Sequence, residues 1–491
     1  MQSNFRRGTL AGRSVQNGGM RIPRTALVDE LRTLLGPRWV EDRIALDAAR
    51  TDRSGLIARG SALGIAEAES TEEVSAILRL AAEHGVPVVP RGAGTGLAGG
   101  AVAGEGELVL SLSRMNRILE IDTVDEVARA QAGVINADLD AEARLHGLRF
   151  APDPASRAIS TIGGNIATNA GGLLCAKYGV TREAVLGLTA VLADGRILRT
   201  GRRTIKGVTG YDLTALLTGS EGTLAVITEA TLRLVPRPTV PPLTFGAILP
   251  STDEALRLCE EIQREGQRPA LLELLDARCV VAITEYLPAE LLPGPFAALK
   301  GAELGSAVVI AQWDAEGAQS AATRAERWAA QLGGGSLLLT GEDEGEALLE
   351  VRRAMNPALP TGTDVLIEDV CVPRSRMAEM YAAIARIEAE TGIEIPALAH
   401  AGDGNLHPHL SVAEHERTPG GEIPDRVWEA AARVFEAAVE LGGTLSGEHG
   451  IGVLKARWLR DEIGEDSLEL QRGIKRLFDP AGRLNPGKMF L

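Results

Sequence analysis

The sequence predicts an α+β protein of two or three domains. At 491 residues the chain is too long for a single hydrophobic core. Between about 243 and 440, helix-like and strand-like runs alternate, which favours an antiparallel sheet with helices on one face. The prolines at 236, 238, 241 and 242 precede this region and indicate a domain boundary.

Composition and charge are those of a soluble globular protein, with 45% hydrophobic and 24% charged residues. A net charge of −15 disfavours non-specific binding to nucleic acid. No run approaches the roughly 18 apolar residues that span a bilayer. The cysteines at 175, 259, 279 and 371 lack C-x-x-C spacing, which fits a reducing compartment and excludes an iron–sulfur cluster built by this chain alone. We expect a cytoplasmic protein, with peripheral association at the inner membrane left open.

The N-terminal part divides into an arm over residues 1–20 and a helical segment over 21–66. Arginines precede the first acidic residue, Asp29, so the arm is transit-peptide-like, disordered, or the result of an early start before Met20. We favour a disordered arm or an early start. The leucines at 27, 31, 34 and 35 recur at helical spacing and predict a helix over 24–45.

A second helix leads into the most unusual stretch of the chain. Ser70 and Glu73 form a capping box, the apolar stripe that follows predicts a helix, and Gly85 ends it. The strand over 86–90 then enters a loop with five glycines in the nine positions of 92–100. Glycines let backbone N–H groups approach a ligand closely, so the loop suits a phosphate or pyrophosphate.

Two other interpretations of this loop remain open. Gly94, Gly96 and Gly99 match the G-x-G-x-x-G pattern of a Rossmann site, but a strand rather than a helix follows. A glycine-rich hairpin without a ligand is the other alternative.

Further strands are expected over 107–135, followed by a helix from Asn136 to His146. A second glycine-rich region then runs from Ala151 to Thr181, interleaved with Asn and Thr, and is typical of a surface wrapped around a flat polar ligand. Asp194-Gly195 predicts a hairpin, and a short helix that ends at Gly219 precedes a strand to Leu234.

Histidines in two compact motifs are the strongest candidates for chemistry. In HAGDGNLHPH a turn brings His400 and His407 together across a hairpin, and GTLSGEHGIG carries Glu448 and His449 before a helix KARWLR. Two imidazoles and a carboxylate can hold a divalent metal, with His449 as a neighbouring general base. His409 is a rival ligand because it shares a strand face with His407. Hydrogen-bonded turn histidines remain the alternative.

Arg352 and Arg353 end an acidic helix. A guanidinium there can pair with a substrate carboxylate, although a solvated helix charge explains either arginine as well.

Together these motifs resemble those of a known family. Between residues 45 and 491 the chain carries PRGAGTGLAGGA, PDPAS, STIGGNIATNAGG, LTGSEGTLAVIT, HAGDGNLH, SGEHGIG and RLNPGKMF. They resemble the FAD-linked oxidases of the vanillyl-alcohol-oxidase/PCMH superfamily. Within it the resemblance is to the D-2-hydroxy-acid dehydrogenases, the group of the glycolate oxidase flavoprotein subunit, cytochrome-type D-lactate dehydrogenase and D-2-hydroxyglutarate dehydrogenase.

The resemblance implies a PCMH-type FAD-binding domain of two α/β subdomains over 67–238. This domain is followed by an antiparallel-sheet substrate (cap) domain over 239–440. A C-terminal segment over 441–491 then returns to the flavin. Thr95 stands where relatives with covalent flavin have a histidine, so FAD is expected to bind non-covalently. The implied cofactor-binding residues are Arg91, Gly92, Ala93, Gly94, Thr95, Gly96, Gly99, Gly100, Asp153, Pro154, Ser156, Thr161, Gly163, Gly164, Asn165, Thr168, Asn169, Gly171, Tyr178, Gly179, Glu221, Gly222, Ile227 and Asn485.

The same resemblance implies that His400, His407 and Glu448 hold the metal. Zn²⁺, Mn²⁺ and Fe²⁺ suit these ligand types about equally, and zinc is the ion we expect. His449 is the implied catalytic base and Arg352 the implied carboxylate-binding residue. The expected reaction oxidises a D-2-hydroxy acid to the 2-oxo acid, with the metal on the hydroxyl and carboxylate, the proton taken by His449 and hydride passing to flavin N5.

The substrate and the partners are less defined. The pattern of the hydroxyglutarate enzymes has a lysine just before the aspartate of the strand LIEDVCVP, where this chain has Ile367 and Glu368. A short acid of the D-lactate or glycolate type is therefore expected, with D-2-hydroxyglutarate as the alternative. A flavin-free metallohydrolase and a non-catalytic flavoprotein subunit are the rival functions. The expected electron acceptor is an iron–sulfur subunit, an electron-transfer flavoprotein, a cytochrome or a quinone, and a homodimer is left open.

Overall fold

The computed structural model describes residues 24–490, except 205, 267, 289–291, 293–295, 297–298, 300–304, 341, 359–364 and 417–422. The arm expected over residues 1–20 lies outside this part of the chain. Within it, the strands form three larger sheets and one two-stranded ladder. In the same residues, no helix combines the length and the apolar character needed to cross a membrane.

The first sheet has four strands and carries the glycine loop. In chain order its elements are α1 (Arg24–Leu35), β1 (Trp39–Val40), α2 (Arg43–Ala49), β2 (Gly64–Glu67), α3 (Thr71–Glu83), β3 (Val88–Arg91) and β4 (Leu108–Ser111). The strand order is β1-β2-β4-β3, in which β4 runs parallel to both neighbours and β1 is antiparallel to β2. Buried leucines of α1 and the apolar stripe of α3 form one core with these strands.

The N-terminal segment differs from the long helix that the sequence predicts. Helix α1 ends at Leu35, not near residue 45, because Gly36 adopts a left-handed φ of 56° and Pro37 has no N–H to continue the helix. The segment then supplies β1 and β2, so it is part of the first sheet. The predicted N-cap of α3 is confirmed, since Ser70 accepts a hydrogen bond from the Glu73 N–H at 3.2 Å.

The second sheet has five strands in the order β5-β6-β10-β8-β9, all antiparallel. The predicted helix after residue 135 and the Asp194-Gly195 hairpin are both present. The elements of this part are β5 (Ile118–Asp122), β6 (Val127–Gln131), α4 (Asn136–Leu145), β7 (Leu148–Arg149), α5 (Ile162–Thr168), α6 (Cys175–Tyr178), α7 (Thr181–Ala184), β8 (Val185–Val191), β9 (Ile197–Gly201), α8 (Leu213–Leu217), β10 (Val226–Arg233) and β11 (Val235–Pro236).

The third sheet has eight antiparallel strands. Seven follow the order β15-β12-β14-β13-β18-β19-β16, and β17 also pairs with β19. Its elements are β12 (Leu243–Leu249), α9 (Thr252–Arg264), β13 (Leu271–Leu275), α10 (Ala277–Tyr286), β14 (Ala307–Trp313), α11 (Ala318–Gln331), β15 (Gly335–Thr340), α12 (Glu342–Arg353), α13 (Met355–Ala358), β16 (Val365–Ile367), β17 (Val370–Cys371), α14 (Met377–Thr391), β18 (Ala397–His400), β19 (Asn405–Ser411) and α15 (Asp425–Glu440).

Both faces of this sheet are covered, whereas the sequence predicts helices on one face. Helices α9, α11, α14 and α15 share a core with one face. Helices α10, α12 and α13 cover the other face, together with Leu173 and Leu174 from the second glycine-rich region. All residues of β13 are buried, which explains why its sequence is a continuous run and not an alternating pattern.

The C-terminal segment returns to the first sheet. After α16 (Leu459–Ile463) and α17 (Glu465–Phe478), Leu484 forms a parallel bridge with Val88 of β3. The Asn485 N–H donates to the Val88 carbonyl at 2.8 Å. The helix predicted over KARWLR begins only at Leu459, because the preceding residues form successive turns.

Candidate active site

A cavity of about 880 Å³ lies where the glycine-rich segments meet the third sheet. This volume is in the upper part of the range for small-molecule and cofactor sites. Most of the residues predicted from the sequence line it. They are Arg91, Gly92, Ala93, Gly94, Thr95, Gly96, Gly100, Pro154, Ser156, Thr161, Gly163, Gly164, Asn165, Thr168, Gly171, Glu221, Gly222, Ile227, Arg352, His400, His407, Glu448, His449 and Asn485.

Five predicted cofactor-binding residues are not among the cavity-lining residues: Gly99, Asp153, Asn169, Tyr178 and Gly179. Three of them have side chains engaged with other groups. Asp153 accepts a hydrogen bond from Arg157, Tyr178 donates to Asp314, and Asn169 accepts from the backbone N–H of Arg182. These contacts support the walls around the cavity.

The loop over 92–100 presents its backbone to the cavity. Within the described residues, none of its nine N–H groups donates a hydrogen bond to the protein. The loop is closed at its base by Arg91, whose guanidinium donates to the carbonyls of Ala101 at 2.8 Å and Ala48 at 3.2 Å. A run of N–H groups without acceptors is the donor set that a pyrophosphate requires.

Two glycines of the second glycine-rich region permit close approach. An ideal Cβ on Gly163 would lie 2.6 Å from the Ala132 Cβ, so the glycine lets α5 pack on the end of β6. An ideal Cβ on Gly171 would lie 2.6 Å from Oε2 of Glu448. The absence of a side chain at Gly171 therefore allows that carboxylate to enter the cavity wall.

The predicted cluster of two histidines and a glutamate is formed. His407 lies on β19 opposite Leu398, and His400 ends β18, so the hairpin brings their ring centroids to 5.2 Å. Oε1 of Glu448 lies 3.1 Å from Nε2 of His407 and 3.7 Å from Nε2 of His400. Ligands bound to one zinc ion at about 2.0–2.2 Å in tetrahedral geometry lie about 3.3–3.6 Å apart. The three side chains therefore have the spacing to hold one divalent cation.

A buried carboxylate, Glu273 on β13, joins His400 to Arg352. Its Oε1 lies 2.7 Å from Nδ1 of His400, and its Oε2 accepts a hydrogen bond from Nε of Arg352 at 2.6 Å. Burial alone would raise the pKa of Glu273, but the positive charges of His400 and Arg352 outweigh it and lower that pKa. Burial likewise opposes protonation of His400, whose pKa is nevertheless raised to about 10 by Glu273 and Glu448.

Of the two arginines at the end of α12, only Arg352 lines the cavity. Arg352 is 5% exposed, and Glu273 is the one described residue that accepts a hydrogen bond from it. Arg353 forms surface ion pairs with Glu346 and Glu350. The alternative of a solvated helix charge therefore fits Arg353 and not Arg352.

His449 stacks on His407, with ring centroids 5.1 Å apart. Its Nδ1 lies 3.5 Å from Oδ1 of Asp369, and its Nε2 lies 3.9 Å from Oε1 of Glu448. Burial lowers the pKa of His449 to about 4, although Asp369 opposes this shift. The ring is therefore neutral at neutral pH and can accept a proton.

Asp369 organises the loop that carries Glu448 and His449. Its Oδ2 accepts hydrogen bonds from the N–H groups of both residues, at 2.6 and 2.9 Å. The buried ammonium of Lys455 pairs with Asp369 and, at 3.2 Å, with Glu368. Burial raises the pKa of Glu368 to about 7, in spite of the ion pair with Lys455.

His409, the rival metal ligand, is not part of the cluster formed by His400, His407 and Glu448. Its Nδ1 lies 2.9 Å from the backbone oxygen of His407, and the side chain lines the cavity. Burial lowers the pKa of His409 to about 3, so the ring is neutral.

Glu221 and Asn485 lie at the junction of the segments that surround the cavity. The Glu221 carboxylate accepts from the N–H groups of Ile451 and Gly452, and burial raises the pKa of Glu221 to about 7 against these two bonds. The Asn485 amide donates to the carbonyls of Gly100 and Glu221, at 2.9 and 2.8 Å.

Sequence reasoning missed Glu273 and the contribution of the N-terminal segment. The available signal for Glu273 was an acid within the otherwise apolar run LLELL, since a charge in a buried strand requires a partner. Asp52 and Arg53 also line the cavity, and Asp52 accepts from the Ala101 N–H at 3.3 Å. Nothing local in the sequence links them to the glycine loop.

Two family descriptions match the chain. Residues 62–201 match the FAD binding domain, and residues 244–489 match the C-terminal domain of FAD linked oxidases. The matched regions contain, respectively, the glycine loop and all the histidines of the cavity.

Curated relatives match over most of their length. The chain is 42% identical over 436 residues to the glycolate oxidase subunit GlcD of Bacillus subtilis, covering 86% of this chain and 87% of that protein. It is 40% identical over 427 residues to a D-lactate dehydrogenase of Archaeoglobus fulgidus, and the match covers 87% of this chain and 90% of that protein. A D-2-hydroxyglutarate dehydrogenase of Xanthomonas citri is 35% identical over 437 residues, with coverage of 87% and 89%.

Solved structures with low sequence identity share the fold. p-Cresol methylhydroxylase with bound substrate aligns with a TM-score of 0.74 at 17% identity, over 95% of this chain and 96% of that one. An alkyldihydroxyacetonephosphate synthase aligns with a TM-score of 0.74 at 19% identity, over 94% of this chain and 85% of that one. The chain therefore belongs to the FAD linked oxidases and is an FAD-dependent oxidoreductase.

Proposed function

We propose that the protein is a dehydrogenase that oxidises a D-2-hydroxy acid of the D-lactate or glycolate type to the 2-oxo acid. The observation that carries this proposal is one cavity in which a buried arginine, a His/His/Glu cluster and a neutral imidazole face a loop of free N–H groups. The names of similar relatives, a glycolate oxidase subunit and D-lactate dehydrogenases, support the same reaction.

FAD is held without a covalent bond in this proposal. The N–H groups of the loop over 92–100 bind the pyrophosphate, and Thr95 replaces the histidine of covalent relatives. The domain over 67–238, whose first sheet also takes β1 and β2 from the N-terminal segment, holds the cofactor, and the domain over 239–440 supplies most of the substrate contacts. When bound, FAD supplies a two-electron acceptor.

His400, His407 and Glu448 hold a divalent cation, for which zinc is our first choice. Imidazoles and a carboxylate are ligands that zinc prefers, and the Glu273 carboxylate on His400 Nδ1 is a typical outer-shell partner. A bound cation would displace the proton that the raised pKa of His400 places on this ring in the absence of metal. When bound, the cation supplies a Lewis acid that stabilises negative charge on the substrate oxygen.

The protein's own groups then orient the substrate and move one proton. Arg352, held at Nε by Glu273, offers its remaining N–H groups to the substrate carboxylate. His449 accepts the proton of the 2-hydroxyl at Nε2, while Asp369 lies beside Nδ1. FAD, held by the loop over 92–100, would supply the acceptor for the C2 hydrogen together with its electron pair. Loss of the hydroxyl proton to His449 then leaves the C=O bond of the 2-oxo acid.

The wall beside the cluster favours a short substrate. Ile367 and His409 pair across β16 and β19, and both line the cavity. Neither carries a positive charge, because Ile367 is apolar and burial lowers the pKa of His409 to about 3. Neither side chain therefore offers a positive charge to a second carboxylate, which disfavours D-2-hydroxyglutarate.

The reduced flavin must pass its electrons to an acceptor. The relative from Bacillus subtilis is named as a subunit, which supports an acceptor on a partner chain. An iron–sulfur protein, an electron-transfer flavoprotein, a cytochrome and a quinone are all compatible with this role.

The reaction is tested by anaerobic mixing of the purified yellow protein with a panel of acids. D-lactate and glycolate should bleach the flavin band rapidly, whereas L-lactate and D-2-hydroxyglutarate should do so slowly or not at all. Bleaching only by D-2-hydroxyglutarate would replace the proposed substrate class. A protein that carries no flavin, or whose flavin no hydroxy acid reduces, would overturn the function.

The base is tested with the variant His449→Ala. Its rate of flavin reduction should fall by about 10²–10⁴-fold, the usual contribution of a general base. The surface variant Glu229→Gln, whose side chain lies 3.6 Å from Arg129, serves as the control. Reduction of His449→Ala at the wild-type rate in stopped-flow absorbance would exclude His449 as the base.

A further inference from the structure

Glu221 has an unusual environment for a residue predicted to bind the cofactor. It lies in a turn with a left-handed φ of 51°, a conformation that is uncommon for residues other than glycine. Its Oε1 accepts a hydrogen bond from the Ile451 N–H at 2.8 Å, and its Oε2 accepts one from the Gly452 N–H at 2.7 Å. Both oxygens are thus engaged by one backbone segment.

That segment directly follows Glu448 and His449. It is held on its other side by the glycine loop, since the Val453 N–H donates to the Ala98 carbonyl at 2.8 Å. An ideal Cβ on Gly450, whose φ is 87°, would lie 3.0 Å from Oε1 of Glu221. The segment therefore fits closely between the carboxylate and the loop.

The backbone of Glu221 is anchored independently of its side chain. Its N–H donates to the Ala167 carbonyl at 2.8 Å, and its own carbonyl accepts from the Asn485 amide. The same amide donates to Gly100 of the glycine loop. Glu221 thus connects the segments around the cofactor cavity to the segment that carries Glu448 and His449.

We propose that Glu221 is a positioning residue, whose carboxylate clamps the backbone of Ile451 and Gly452 and so holds Glu448 and His449 in place beside the flavin. The clamp follows from the hydrogen bonds alone, whereas its effect on metal binding and flavin reduction rests on the proposed function. Glutamine at this position keeps the size of the side chain but turns an NH₂ group toward one of the two donors.

The test compares FAD-loaded wild type, Glu221→Gln and the matched control Glu229→Gln, which lies on β10 next to Arg129. Hydrogen exchange of the peptide over 446–453, followed by mass spectrometry, should be about 10- to 100-fold faster in Glu221→Gln, because one of the two backbone donors is left without its acceptor. The Zn²⁺ dissociation constant of the metal-free, FAD-loaded protein should rise about tenfold or more. FAD should be retained, and flavin reduction at saturating Zn²⁺ should slow.

A second variant, Gly450→Ala, displaces the same segment from its own side while leaving the carboxylate intact. It should reproduce the faster exchange and the weaker Zn²⁺ binding, and it decides the matter if Glu221→Gln fails to fold. Exchange at the wild-type rate in these variants, or loss of FAD with exchange unchanged, would overturn the clamp. If the wild-type protein binds no Zn²⁺, or if no hydroxy acid reduces its flavin, the proposed function is wrong. The hydrogen-exchange rates then still show whether Glu221 holds the backbone of Ile451 and Gly452.

Discussion

His449 is a buried imidazole whose two ring nitrogens face different surroundings. Nδ1 lies 3.5 Å from Oδ1 of Asp369 and has no hydrogen-bond partner among the described residues, whereas Nε2 faces Glu448. Such a ring could not be recognised from GEHGIG alone, because the orienting aspartate lies 80 positions away in the chain. Local sequence identifies the candidate residue, and only the fold supplies its partner.

The pH dependence of flavin reduction follows from this environment. Burial lowers the pKa of His449 to about 4, and the neutral form, which acts as the base, is populated above that value. The rate constant for reduction by D-lactate should therefore be flat near neutrality and should fall about tenfold per pH unit only below about pH 4. Stopped-flow measurements across this range test the prediction, and an acidic limb centred on the ordinary histidine pKa would contradict it.

Glu273 offers a second test at the same scale. The Glu273 carboxylate orients the His400 ring and raises the basicity of that ring. Replacing Glu273 with Gln removes both effects, so Zn²⁺ affinity should fall by about 10- to 100-fold. Competition with a chelator measures the dissociation constant, with Glu229→Gln as the control. Equal affinities in the two variants would show that Glu273 does not support the metal ligand.

At the scale of elements, the hairpin β18–β19 was predictable and the break between β16 and β17 was not. The turn through Asp403 and Gly404 has a strong local signal, and the register of the strands then brings His400 and His407 together. In contrast, LIEDVCVP appears as one strand, yet it is interrupted at Glu368 and Asp369. The interruption places Asp369 beneath His449, a tertiary requirement that the apolar pattern does not encode.

Two helical glycines, Gly163 in α5 and Gly473 in α17, have different surroundings, which predict opposite effects on stability when each is replaced by alanine. Gly163→Ala would place a Cβ 2.6 Å from that of Ala132 and should destabilise the protein by about 1–3 kcal/mol. Gly473→Ala within α17 meets only the end of Arg476, at 3.8 Å, and should stabilise by about 0.4–1 kcal/mol. Thermal unfolding measures both, and a Gly163→Ala protein as stable as wild type would contradict the packing argument.

At the scale of the whole molecule, the cavity is assembled from distant segments. The glycine loops and the histidine motifs were recognisable because glycine, histidine and turn residues carry strong local signals. The participation of residues 39–40 and 64–67 in the first sheet could not be recognised from the sequence, since two short strands of ordinary composition pair only through tertiary contacts. The second covered face of the third sheet escaped prediction for the same reason.

The return of the C-terminal segment predicts that its removal releases the cofactor. Deleting residues 480–491 removes the Asn485 amide from Gly100 and Glu221 and the Lys488 ammonium from the Val102 carbonyl. The milder variant Asn485→Ala should weaken FAD binding about tenfold, the combined effect of two hydrogen bonds. Fluorescence titration of the apoprotein with FAD measures this, with Leu470→Ser on the exposed face of α17 as the control. An Asn485→Ala protein that binds FAD as wild type does would refute this role.

The contact between Asn485 and Gly100 joins residues 385 positions apart. During translation the glycine loop leaves the ribosome long before its last hydrogen-bonding partner is synthesised. The wall of the nucleotide pocket therefore lacks this hydrogen bond until Asn485 has been synthesised and has packed against Gly100.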